Sequence, residues 1–165
     1  MGKQKEFIIR EVQDQDISWI KDLTINQWGD ELVAVHGDLY IPHDLSGFIA
    51  VNPSGEPIGL VTFIIDSGEC EIVTLNSLET DRGVGTSLLS EVIKVAEGAE
   101  CKRVSLTTTN DNIKALGFYQ KRGFALVAIH RGAVDRARTV KPSIPLVSPA
   151  GIPIKDEIEL ELSLA

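Results

Sequence analysis

The chain has 165 residues, 43% of them hydrophobic and 24% charged, with a formal net charge of −8 at neutral pH. That length suits one domain that buries about two thirds or more of its unfolded surface without help from a metal or disulfide, and the composition is that of a globular chain and not a disordered one. The longest apolar run, IGLVTFII at 58–65, falls well short of the roughly 20 residues of a membrane helix, and the acidic balance argues against nucleic acid, whose binding draws on clustered Lys and Arg.

The N-terminal MGKQKEFIIREV lacks the apolar stretch and small-residue cleavage site of a secretory signal, and Cys70 and Cys101 make no disulfide framework, so the expected location is the cytosol. Residues 6–12 read as a strand and 14–28 as a helix, with Ile17, Ile20, Leu23 and Ile25 at its apolar positions. Residues 29–45 are mixed in pattern. Residues 46–52, 58–66 and 69–78 then read as three consecutive strands of an antiparallel meander, with the turn PSGEP at 53–57 between the first two.

The period changes at TDRGVGTSLL, residues 80–89. Gly83 and Gly85 let backbone approach a ligand closely or take positive φ, and the helix behind them opens with unpaired amides, so the loop is shaped for an anion such as a phosphate. Val84, Leu88, Leu89, Val92, Ile93 and Ala96 are spaced for a helix that stops near Gly98. Residues 103–109 form the next strand. Asn110 is placed to cap a helix over 111–122, with Lys121 and Arg122 in its last turn and Gly123 as terminator. Residues 123–129 and 156–164 are the closing strands. The strand, loop, helix and strand of 70–109 imply a right-handed crossover and one parallel strand pair in an otherwise antiparallel sheet. The segment 130–153 is too long for a hairpin turn and reads as a cover or a disordered loop, with Ile144, Leu146, Val147 and Ile152 as its packing residues.

This order of elements resembles the GNAT family of acetyl-CoA-dependent N-acetyltransferases, a mixed α/β fold. Two segments carry the resemblance. LNSLETDRGVGTSLL is similar to the family's Gln/Arg-x-x-Gly-x-Gly/Ala loop, with Gly83 and Gly85 at the small positions. NDNIKALGFYQKRGF is similar to its Asn-x-x-Ala-x-x-x-Tyr-x-x-x-Gly-Phe helix, matched by Asn112, Ala115, Tyr119, Gly123 and Phe124. The likeness spans roughly 6–130 and 156–164. One departure is that the family's Gln/Arg position falls on Thr80, while Arg82 sits directly before Gly83.

The resemblance implies that the loop wraps the pyrophosphate of coenzyme A. Amides of Arg82, Gly83, Val84, Gly85, Thr86 and Ser87 would point at the phosphates, with the positive end of the helix behind them and the Thr86 and Ser87 hydroxyls as added donors. The pantetheine arm would lie like an extra strand along Leu75, Asn76 and Ser77, bonded by main-chain groups at Leu75 and Ser77, with an amide near Leu75 polarising the thioester carbonyl. Asn112, Ala115 and Tyr119 share one helix face that would look at the cofactor, and Tyr119 is the implied donor to the departing thiolate. In the strand ECEIVTL, period-two alternation puts Glu69, Glu71, Val73 and Leu75 on one face. Glu71, roughly 13 Å from Leu75 along the strand at about 3.3 Å per residue, is the expected base, acting through one or two waters.

Trp19, Trp28, Tyr40 and His43 fall where the family builds its acceptor pocket, and core packing accounts for the tryptophans equally well. His36, His43 and His130 have no metal-ligand spacing in the chain, and no metal is expected. The expectation is a single-domain acetyltransferase that moves acetyl from its co-substrate acetyl-CoA to a primary amine of a small molecule or peptide. Attack is direct, in a ternary complex, and a second copy of the chain is a candidate partner. The alternative is a catalytically silent acyl-CoA-binding sensor on the same fold. A dinucleotide-binding module is set aside because Leu88 stands where a third glycine belongs.

Overall fold

The computed structural model describes residues 6–80 and 82–164; residues 1–5, where the reading for a targeting signal begins, lie outside the described residues. The elements run β1 (Ile8–Glu11), a 3-10 turn (Asp14–Asp16), α1 (Ile17–Trp28), β2 (Val33–Val35), β3 (Asp38–Tyr40), a second 3-10 turn (Pro42–Asp44), β4 (Ser46–Val51), β5 (Pro57–Asp66), β6 (Glu69–Ser77) and α2 (Val84–Gly98). They continue with β7 (Arg103–Thr109), α3 (Ile113–Lys121), β8 (Ala125–His130), α4 (Ala133–Ala137) and β9 (Glu157–Ser163). Seven strands form one sheet in the order β1-β4-β5-β6-β7-β9-β8, and β6 with β7 is its one parallel pair. The expected mixed, mostly antiparallel sheet is therefore the observed one.

α2 covers one face of the sheet because its apolar residues recur at helical spacing. Val84, Leu88, Leu89, Val92 and Ala96 are buried together with Phe48, Val61, Phe63 and Ile72 of the strands. Each of the larger aliphatic side chains contributes about 1.5–3 kcal/mol by leaving water. The opposite face carries α1, through Ile20 and Leu23 on Leu60, and the β2–β3 hairpin, through Val33 and Val35 on Val73. That hairpin is what the mixed pattern of 29–45 becomes. Its turn holds His36 and Gly37 both at positive φ, 53° and 80°, the geometry of the tight turns that match strand twist.

Two expectations change. The cap of α3 is Asn112, whose side chain accepts from Ala115 N (3.2 Å), and not Asn110. Asn110 instead fastens the chain before β9, donating to Pro153 O (2.9 Å) and accepting from Lys155 N and Asp156 N (both 3.0 Å). In the 130–153 segment Leu146 and Val147 are exposed, 71% and 52%, so they are not its packing residues. Its buried groups are Ala133, Val134 and Ala137 of α4 and the Lys141 side chain, whose Nζ donates to Leu32 O (2.6 Å) and ties the segment to the start of the hairpin.

Candidate active site

A bulge creates the site. β5 and β6 pair Thr62 with Thr74 and Phe63 with Ile72, which leaves Val73 as an extra residue on β6, and an extra residue bends its strand. β6 and β7 pair only from Glu69–Arg103 to Ile72–Leu106; beyond that they part, while β7 runs on beside β9 as far as Thr109–Glu157. The gap is a cleft lined by Leu75 and Thr107 from the two strands, by Trp28 from α1, and by Asn112, Ala115 and Tyr119 from α3. The three residues expected to share one helix face thus meet at one wall.

Leu78 N donates to Ile58 O (2.9 Å). Alternation along an antiparallel ladder then makes Leu60–Asn76 and Thr62–Thr74 the hydrogen-bonded pairs and turns the amides and carbonyls of Leu75 and Ser77 away from β5, into the gap. Asn76 differs: its main chain is committed to β5, while its side-chain Oδ1 is buried without a partner. Ser77 Oγ donates to Glu79 O (2.7 Å).

The bulge also overturns the shared face expected of Glu71 and Leu75. One extra residue reverses the inward and outward sense of the strand, so Leu75 packs toward the α2 core while Glu71 faces the hairpin side with His36 and Tyr40. Glu71 is half-buried, and desolvation raises its carboxyl above the ordinary value, opposed by the nearby His36 and reinforced by Glu159 and Asp38. Its Oε1 is buried without a partner. Glu69 is exposed and accepts from Arg103 Nε (3.1 Å).

α2 begins beside the end of α3, where Thr86 meets Arg122 and Gly85 faces Phe118; it has no side-chain cap, and Gly83 precedes it at φ 75°. The amides of its first turn have no carbonyl within the helix, so they face outward. Ser87 is an exception to the expected donor set, since its amide donates to Gly83 O (3.0 Å) and its side chain is buried. Gly85 is closely packed for a different reason: a Cβ there would stand 3.3 Å from the Phe118 ring, which would have to shift by a few tenths of an ångström. Arg82 turns from the loop to Glu79 (3.1 Å) and Glu6 (3.6 Å). A different cation takes that place. Arg122 lies 3.6 Å from the Phe118 ring centre, donates to Phe118 O (2.8 Å), and donates to Thr86 Oγ1 through Nε (2.9 Å) and Nη2 (2.7 Å). In the sequence Arg122 carried only the mark of a helix C-terminal cation, and the contact across 36 residues had no local sign.

Tyr119 is 6% exposed and held edge-to-face by Phe118 (5.1 Å) and Phe124 (5.3 Å). Burial pushes its phenol well above the ordinary value, partly offset by Arg122. Of the four aromatic and His residues expected near the acceptor, Trp28 lines the cleft and Tyr40 stands beside Glu71, whereas Trp19 packs on the Ile20–Leu23–Leu60 cluster and His43 Nε2 lies 3.7 Å from Asp44.

Residues 14–124 match the model of the acetyltransferase (GNAT) family. The chain belongs to the GNAT family. The GNAT chain is 45% identical over 139 residues to the uncharacterized protein YdhI of Bacillus subtilis (strain 168), covering 84% of this chain and 87% of that protein. Its fold is that of a GNAT acetyltransferase from Elizabethkingia anophelis solved with acetyl-CoA bound (TM-score 0.67, 22% identity, 98% and 100% of the two chains). A Bacillus subtilis acetyltransferase in complex with CoA matches equally well (TM-score 0.67, 18% identity, 97% and 99%). The family match supports acetyl transfer as the general activity, and the two solved neighbours share the fold. Among the described residues, no helix is long and apolar enough to cross a membrane.

Proposed function

We propose that the chain acts as a single acetyltransferase domain that passes the acetyl group of acetyl-CoA to a primary amine by direct attack in a ternary complex. The observation that carries this is the cleft between β6 and β7: a strand-like gap with the main-chain groups of Leu75 and Ser77 on one side and Tyr119 on the other. A pantetheine arm laid in that gap extends the β6 edge, and the pyrophosphate then meets the first-turn amides of α2 at Gly83, Val84, Gly85 and Thr86, with Arg122 beside them. Asn112 and Ala115 border the arm. The Arg82 guanidinium and the Ser87 amide take no direct part in this reading, because both are already engaged, and the Arg82 amide stays among the loop's donors.

The incoming amine is an ammonium of pKa near 10 and must lose a proton before it attacks. Glu71, with a raised carboxyl and one unpartnered oxygen, accepts that proton through water. The amine nitrogen adds to the thioester carbon, the Leu75 amide stabilises the oxyanion, and the C–S bond breaks with its electron pair on sulfur. Tyr119 gives its proton to that sulfur and recovers one released from the acylated nitrogen. A phenol near 10 and a thiol near 8.5 make this transfer uphill by about 2 kcal/mol in water. Burial raises the Tyr119 phenol above its ordinary value and so widens the gap, which makes transfer concerted with C–S bond breaking the route this reading requires.

The test is release of free thiol from acetyl-CoA with a panel of amines, amino acids, polyamines, aminoglycosides and peptides. Release that depends on one class of amine supports the reading. Tight acetyl-CoA binding with no release for any of them would leave the silent sensor in its place.

A further inference from the structure

The fold gathers two histidines and a glutamate that lie far apart in the chain. His36 comes from the β2–β3 turn, His130 from the end of β8 and Glu159 from β9, and one donor atom of each lies within 4.8 Å of the others. His130 Nε2 is 3.2 Å and His36 Nε2 3.9 Å from the same oxygen, Glu159 Oε1. Ligand atoms about 2.1 Å from a tetrahedral ion stand roughly 3.4 Å apart, so small side-chain rotations close this triangle onto one. The two imidazole rings meet edge to face, at 88° with centres 5.1 Å apart.

The surroundings are those of a held ligand set. Glu159 Oε2 accepts from Arg103 Nη1 (3.1 Å), which fixes the carboxylate and presents Oε1 to the imidazoles. His36 Nδ1 lies 3.6 Å from Oε2 of the buried Glu157, which also accepts from the His36 amide (3.3 Å), so a carboxylate orients the far side of that ring. The two imidazoles are about one third exposed, 34% and 37%, which leaves an approach from solvent and a fourth position for water. Thr107 Oγ1, 2.6 Å from His36 Nε2, is the contact an ion would displace.

We propose that His36, His130 and Glu159 bind a divalent transition ion of the zinc class, which clips the hairpin turn to the β8–β9 edge of the sheet. Two imidazoles and one carboxylate form a donor set that suits such an ion and not calcium or magnesium. None of the three gives or takes a proton in the acetyl-transfer reading, and although His36 and Glu159 stand beside Glu71, metal binding is read without turnover, so failure of one reading is distinguishable from failure of the other.

The experiment titrates untagged, chelator-treated protein with Zn2+ by calorimetry. One equivalent per chain is expected, with His130→Ala and His36→Ala each weakening it by at least about 10²-fold, since even the outer partners of a ligand are worth about 10–100-fold. His43→Ala, outside the cluster, should bind as the wild type does. On the wild-type chain, which needs no variant to fold, Zn2+ should slow amide exchange at 35–38 and 128–131. No binding at 100-fold excess of Zn2+ over protein, binding that survives His130→Ala, or unchanged exchange at both segments would each overturn the proposal.

Discussion

Replacing Tyr119 by Phe removes one oxygen and leaves the ring where Phe118 and Phe124 clamp it edge-to-face, 5.1 and 5.3 Å away. No cavity larger than that atom opens, so the change in stability should stay within about 1 kcal/mol, against the 3–5 kcal/mol expected of Tyr119→Ala. The chemical loss is larger. A positioned proton donor is worth about 10²-fold or more, or about 2.7 kcal/mol of barrier. The assay pairs turnover, read as thiol release at saturating acetyl-CoA and amine, with the acetyl-CoA dissociation constant from calorimetry. Turnover should fall at least about 100-fold while the constant moves less than about threefold, because a group that acts only in the transition state adds nothing to ground-state binding. Since burial raises the phenol above its ordinary 10.0, wild-type activity should show no basic limb from Tyr119 at or below pH 10. Binding that falls in step with turnover would make Tyr119 a packing residue, and wild-type turnover in Tyr119→Phe would refute its place in the chemistry.

Gly83→Val puts a β-branched side chain at φ 75°, a strain of about 1–2 kcal/mol, with nothing of the protein within 4 Å of the new Cβ. The chain should fold with a lowered melting temperature and lose the stabilisation by acetyl-CoA, and an intact ligand response would reduce the loop to a turn. Arg122→Ala removes the cation beside the α2 amides and should weaken acetyl-CoA about tenfold, measured by calorimetry, with turnover at saturation held within about twofold; unchanged affinity would place Arg122 in packing only. Glu71→Gln should lower the rate at pH 7 by about 10–10²-fold and regain part of it at high pH, where free amine is abundant. In the wild type the base works deprotonated, so its acid limb should sit above the ordinary glutamate value, in the direction that burial drives it. Glu69→Gln, which only loosens an exposed pair with Arg103, should change little; a Glu71→Gln profile that overlays the wild type would leave another base to be found.

What could be read from the chain was what rests on local rules. The apolar spacing of Val84, Leu88, Leu89, Val92 and Ala96 specified α2, and the strands 58–66 and 69–78 carried enough β-branched residues to place β5 and β6 within one or two residues. The parallel β6–β7 pair followed from chain order and crossover handedness. What could not be read depends on distant partners. The bulge at Val73 has no glycine or turn residue to announce it, yet it decides which way Glu71 and Leu75 face. The β2–β3 hairpin has three-residue strands, too short for a period to show. Arg122 on Thr86 and the meeting of His36, His130 and Glu159 join segments that only the finished sheet brings together.

The most direct test of the central claim is the melting temperature of the wild-type chain with and without acetyl-CoA. A ligand at 100 times its dissociation constant adds about 2.7 kcal/mol to the folded state, which for a chain of this size is about 5–11 °C. The account predicts a rise of that size that saturates with acetyl-CoA. A melting temperature that stays put at millimolar acetyl-CoA would contradict it, because the cleft between β6 and β7 would then not be the seat of the cofactor.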